Sequence, residues 1–142
     1  MKVSTRVEYG LLALTDIALN MENEPIVTAI GISERNGISQ KYLEQIMPLL
    51  KQAGLLRAQK GIKGGYTLAK PADSIKMSDV LNALDISILA YMEPSGKEDA
   101  GELRDIVNTC LWKKMNGYLL DFSENLTFAD FVQECKRQNM CV

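Results

Sequence analysis

The chain has 142 residues, 46% of them apolar and 24% charged, with a formal charge of −2 and no histidine. This composition suits one modest soluble core, or a small domain carrying an oligomerisation element. The lack of histidine excludes His-based general bases, Ser–His and Cys–His nucleophile pairs, and His-containing zinc sites. No apolar run approaches the ~18 residues that span a bilayer, and the opening MKVSTRVEYG lacks the apolar stretch of a signal peptide. A cytoplasmic location with no membrane partner is therefore expected. The charge is unevenly spread: residues 1–84 hold ten Lys/Arg and eight Asp/Glu, residues 85–142 six and ten.

Val7, Leu11, Leu12, Leu14, Ile17, Ala18 and Met21 recur at three- and four-residue steps, which predicts an amphipathic helix over 5–20, capped by Ser4 or Thr5. The polar segment Glu22–Pro25 ends it. A short helix is expected from about Val27 to Arg35, with Ile30 and Ile32 facing inward. Asn36-Gly37 then signals a turn, with Gly37 supplying a positive φ. Ser39 caps a second short helix running to about Ala53 and stopping at Gly54, with Leu43, Ile46, Met47 and Leu50 as its buried stripe. Gln40, Lys41, Glu44, Gln45 and Lys51 are left on the outer face, and Tyr42 lies near its boundary.

Two short helices around a glycine turn form a helix-turn-helix, whose second helix can enter a DNA major groove. Such a helix needs exposed donors and acceptors in its first two turns. Ser39, Gln40, Lys41, Tyr42, Glu44 and Gln45 meet that need: glutamine can bond adenine bidentately and glutamate can accept from the cytosine amino group. Any one of these residues alone reads better as an ordinary solvent-facing side chain; the set, in this order, favours DNA contact.

A hairpin follows, pairing Leu55–Ala58 with Tyr66–Ala69 across Gln59-Lys60-Gly61-Ile62-Lys63-Gly64-Gly65. Residues 51–70 hold five basic side chains (Lys51, Arg57, Lys60, Lys63, Lys70) and no acid. Three glycines keep the tip slim, and Lys60 and Lys63 carry charge suited to a narrow, electronegative minor groove. The glycines do not form a phosphate loop: Gly61, Gly64 and Gly65 match neither G-x-G-x-x-G nor G-x-x-x-x-G-K-[ST], and no helix opens directly after them.

Beyond Pro71-Ala72-Asp73 a short helix is expected over Met77–Leu84, then a flexible loop over 85–101. Leu103, Ile106, Val107, Cys110, Leu111, Met115, Tyr118, Leu119 and Phe122 form a wide stripe on one long helix, more than a small domain needs for itself. Thr127 caps a final short helix reaching Gln138. The division expected is thus a DNA-binding domain (1–84), a loop (85–101) and a dimerisation helix with a C-terminal helix (102–142). The fold class is mainly α: a winged helix-turn-helix with a long C-terminal dimerisation helix. No nucleophile–base pair or paired-carboxylate motif is present, so an enzyme is not expected.

The runs ISERNGISQKYLEQIMPLLKQAGLL and KGIKGGYTLAKP, with the opening MKVSTRVEYGLLALTDIAL, resemble the IscR/NsrR/CymR family of bacterial regulators (the Rrf-two superfamily). The match is close over about residues 1–90 and holds in outline beyond. The resemblance implies a homodimeric transcription factor, usually a repressor, binding double-stranded DNA at a palindromic operator. It places the major-groove contacts on Ser39, Gln40, Lys41, Tyr42 and Glu44, and the minor-groove contact on Lys60; Lys63 is added by the charge of the tip alone. It implies that the long helix pairs with its twin.

Many members of that family hold an iron–sulfur cluster on three cysteines in the loop before the long helix. Here residues 85–101 contain no cysteine, so the usual site lacks its ligands. Cys110 falls about where the last family cysteine would stand, and its structural reading is a small buried hydrophobe on the helix stripe. Glu8, at a position where some members use an acidic ligand, reads as a surface carboxylate. No cofactor is expected, and control by a partner protein, a small-molecule effector or a thiol is the leading reading, closer to the CymR branch. The alternatives are a metal, iron–sulfur or redox sensor built from Cys110, Cys135 and Cys141, and a dimeric interaction module that has lost operator binding. Trp112, Tyr118 and Phe122 read either as core or as the lining of an effector pocket.

Overall fold

The computed structural model describes residues 2–90 and 101–140. Seven α-helices and one hairpin are seen among them: α1 (Thr5–Asn20), α2 (Ala29–Asn36), α3 (Gln40–Gln52), β1 (Leu56–Gln59), β2 (Gly65–Leu68), α4 (Met77–Leu84), α5 (Glu102–Val107), α6 (Lys113–Asn125) and α7 (Phe128–Met140). None of these helices is long and apolar enough to cross a membrane.

Capping explains where the first three helices begin. The Ser4 hydroxyl accepts from the Val7 N–H at 3.3 Å, Thr28 from Gly31 at 3.0 Å, and Ser39 from Tyr42 at 3.1 Å, each satisfying one of the orphan amides of a helix start. The corner between α2 and α3 turns on Gly37, whose φ of 66° is the left-handed conformation that closes α2. The start of α2 corrects the expectation: Val27 and Thr28 are extended. Val27 exchanges backbone bonds with Tyr66 (3.0 and 2.8 Å), an isolated antiparallel bridge beside the hairpin. Ile32 is buried and Ile30 is 55% exposed. Two residues apart on a helix lie on nearly opposite faces, so both could not point inward.

The hairpin pairs Leu56 with Leu68 and Gln59 with Gly65, one residue along from the expected bounds, with Leu55 still accepting from the Ala69 N–H at 3.0 Å. A single apolar cluster joins α1, α2, α3 and α4 to the start of the hairpin, with Leu14, Ile17, Ile32, Leu43, Leu50 and Val80 at its centre. Each such side chain stabilises the fold by about 1.5–3 kcal/mol when withdrawn from water. The same cluster includes Ile88 and Leu89, which fall within the segment expected to be a flexible, exposed loop; Ile86 beside them is exposed, and residues 91–100 lie outside the described residues.

The last helix packs back on the N-terminal helices. Met77 donates to the Leu126 carbonyl at 2.8 Å and Phe128 to Ile75 at 2.7 Å, so α7 enters through a two-bond bridge that carries Phe128 and Val132 into the common core. Lys136 pairs with Glu22 at 2.6 Å, tying α7 to the turn that follows α1.

From Glu102 to Asn125 the chain is helical throughout, but Asn108–Trp112 is a π turn. An ideal α-helix would leave Phe122 about 100° round the axis from Leu103. The π turn takes in about one extra residue, which removes roughly that rotation and keeps the apolar positions in one line. That line faces outward: Leu103, Ile106, Val107, Leu111, Trp112, Met115, Tyr118 and Phe122 are all at least 40% exposed in the single chain.

Candidate nucleic-acid interface

The first turns of α3 carry the expected contact residues. Ser39, Gln40, Lys41, Glu44 and Gln45 are exposed, while Leu43, Ile46, Met47 and Leu50 fix the helix to the core. Ser39 has a double part, since its hydroxyl already caps the helix. Tyr42 is half-buried: its ring meets Tyr9 of α1 edge-on, with centroids 5.3 Å apart. That contact spends the ring on packing, which holds the start of α3 against α1. Pro48, inside α3, deprives the Glu44 carbonyl of its helical donor, and the helix continues because the residues on both sides of Pro48 are anchored in the core.

The wing stands beside this face. α3 packs against β1 at the root of the hairpin, and the Tyr66 hydroxyl on β2 is pushed above its ordinary range, first by burial and then by the negative charge of Glu44. Lys60 and Lys63 are exposed at the tip, where the Gly64 N–H closes the turn on the Gly61 carbonyl at 2.9 Å. A Cβ on Gly64 would sit 2.2 Å from the Gln59 carbonyl oxygen and 2.8 Å from that of Gly61, so no other residue fits without opening the tip. Gly64→Ala is therefore expected to weaken DNA binding at least tenfold while shifting the thermal midpoint little, because the tip contributes nothing to the core. Equal binding by variant and wild type in a fluorescence-anisotropy titration would show that the tip shape is irrelevant. A shallow cleft of about 220 Å³, lined by Ile26, Arg57, Gln59 and Thr67 among others, runs along the hairpin. Arg57 is exposed at its edge, a cation that the sequence reading counted only as part of the basic strip.

The pair that positions this reader was not foreseen. Arg35, in the last turn of α2, donates from Nε and Nη2 to the two carboxylate oxygens of Asp16 on α1, at 2.9 and 2.8 Å. Asp16 is buried and Arg35 about one-third exposed. The forked geometry fixes the direction of α2 as well as its distance from α1, and the Asp16 hydrogen bond raises the guanidinium pKa further above neutrality. Nothing local marks these residues as partners, since 19 positions separate them.

The cysteines stand apart. Cys110 is exposed within the π turn, which corrects its expected place as a buried stripe residue: the core-facing side of this helix is supplied by Leu119, Leu120 and Ser123 instead. Cys135 is half-buried on α7, where desolvation and the Glu134 charge push its thiol up. It borders a wider cleft with Leu12, Leu19, Asn36 and Gln138. Cys141 lies outside the described residues. Among the described residues no three Cys, Asp or Glu side chains converge as a metal site would require, and the segment 85–101 holds no cysteine. The donors present thus do not fit a cluster at the family's usual loop. Glu8 is exposed in the first turn of α1. Trp112, Tyr118 and Phe122, considered for an effector pocket, are on the outward face of the long helix.

A helix-turn-helix with a basic two-stranded wing and a long C-terminal helix defines a winged DNA-binding transcriptional regulator rather than an enzyme. A family profile described as Rrf2, an iron-dependent transcriptional regulator, matches residues 3–134. The HTH-type transcriptional regulator IscR of Vibrio campbellii is 36% identical over 135 residues, covering 94% of this chain and 79% of its own. Among solved structures, CymR, the global cysteine regulator of B. subtilis, superposes with a TM-score of 0.79 at 26% identity, over 94% of this chain and 98% of that one. T. potens IscR does so at 0.72 and 29%, over 95% and 88%. The chain belongs to the Rrf2 family of transcriptional regulators.

Proposed function

We propose that the protein acts as a homodimeric, sequence-specific repressor, with α3 read into the major groove of a palindromic operator and the wing laid in the adjacent minor groove. The observation that supports this reading is the placement of the two elements: α3, with its exposed polar start, packs against β1, and the hairpin carries the exposed Lys60 and Lys63 at its tip. Ser39, Gln40, Lys41, Tyr42 and Glu44 are assigned to the major groove, Lys60 and Lys63 to the minor groove. The outward stripe from Leu103 to Phe122 is assigned to pairing with a second copy, which would set two α3 helices about 34 Å apart, one turn of DNA. Its size supports that role, since a monomer seldom leaves so continuous an apolar line in water. With no cysteine in 85–101, control is assigned to a partner protein, a small ligand or a thiol rather than to a cluster in that segment.

The test uses two variants that spare the fold. Tyr42→Phe keeps the Tyr9 contact and removes only the hydroxyl; Lys60→Ala removes one tip charge. Together they are expected to weaken binding to the protein's own promoter region at least tenfold, and to flatten the slope of log affinity against log salt by about 1. Unchanged affinity and slope would overturn the assignment.

A further inference from the structure

Ile62 stands out at the wing tip. Its side chain is fully exposed, at 107% of the reference value, and it joins none of the apolar contacts that organise the core. Tight turns are ordinarily served by Gly, Asn, Asp, Pro or Ser, each of which helps the backbone bend. Isoleucine does nothing of the kind, so the fold gains nothing from it. It sits between Lys60 and Lys63, with Gly61 (φ 112°) on one side and the closely packed Gly64 beyond.

We propose that Ile62 is the apolar contact of the wing with the DNA minor groove, its side chain seated against the deoxyribose walls while Lys60 and Lys63 reach the phosphates on either side. This rests on the reading of the wing given above and adds a specificity-determining residue to it. The chemistry is complementary: the sugar walls of a minor groove present C–H surface beneath a rim of anionic oxygens, and proteins that bind there combine basic side chains with apolar wedges. A branched side chain of fixed width fits a groove of a given width, so the contact reports DNA shape rather than base identity. It releases no counterions, whereas each lysine–phosphate contact does. The two kinds of contact therefore separate on a salt axis.

The experiment uses the full chain and a duplex enriched from a randomised pool by the wild-type protein, with affinities measured from 50 to 300 mM salt for wild type, Ile62→Ala, Lys60→Ala and Lys63→Ala. Ile62→Ala is expected to bind roughly tenfold more weakly at every salt concentration, with the wild-type slope. The two lysine variants are each expected to flatten the slope by about 1. Ile62→Ala should melt at the wild-type temperature, because its side chain holds nothing in the fold. Binding by Ile62→Ala within twofold of wild type, beside flattened lysine variants, would leave the wing in the groove and remove Ile62 from it. A changed slope in Ile62→Ala would likewise overturn the apolar role. If neither lysine variant altered affinity or slope, or if the wild type enriched no duplex, the reading of the wing itself would fail and the role of Ile62 with it.

Discussion

Glutamates placed at both Leu111 and Phe122 are expected to leave a folded monomer that no longer holds its operator. Both side chains are exposed in the single chain, 44% and 66%, so charging them removes nothing from the core. On the proposed pairing face they would meet their counterparts across a two-fold axis, where burying unpaired charge costs several kcal/mol per group. Sedimentation equilibrium should report the single-chain mass of 15.8 kDa in place of twice that value. Operator affinity should fall by a factor on the order of 10² to 10⁴, because two linked half-site contacts become two independent weak ones. Far-UV circular dichroism should be unchanged. A variant that remains dimeric would place the pairing surface elsewhere on the molecule.

Asp16→Ala is the second large effect. It takes from the Arg35 guanidinium its carboxylate partner and removes two charge-assisted hydrogen bonds. Breaking a buried pair from one side costs about 3–5 kcal/mol, but Arg35 is partly exposed and can turn to water, so about 2 kcal/mol is the expected loss. For a chain of this size that is a fall of about 6–8 °C in thermal midpoint. Because the pair sets the direction of α2, and α2 leads through Gly37 into α3, operator affinity should drop by more than the fraction unfolded explains. The double variant Asp16→Leu, Arg35→Met, which replaces the pair by apolar groups of similar volume, should recover most of the midpoint. Equal midpoints for Asp16→Ala and wild type would mean that core packing alone orients α2.

The helix-turn-helix and the wing were legible because each is written in local terms. Ser39, Gly37 and Gly54 punctuate α3, the apolar period of Leu43, Ile46, Met47 and Leu50 gives its buried side, and a glycine-rich basic tip joins two strand-forming runs. Where the reading slipped, a distant partner had intervened. The start of α2 moved because Val27 is drawn into the sheet by Tyr66, 39 positions on. Ile88 and Leu89 left the expected loop for a core that other segments had built. The π turn had left a faint trace, since Leu103, Val107, Leu111 and Met115 repeat at four residues, slightly longer than the α-helical period.

By itself the sequence determined the elements, the family, and which side chains are chemically able to read DNA; periodicity, caps and turn residues act within a few positions and need no fold to be read. Only the tertiary structure decided which side chains are free and which are spent on packing or pairing. It turned Tyr42 onto Tyr9, spent Asp16 on Arg35, docked α7 through Phe128, and left Cys110 and the stripe of the long helix facing outward. Burial and ion pairing depend on what long-range packing brings together, and the core had only enough inward-facing surface for one side of that helix.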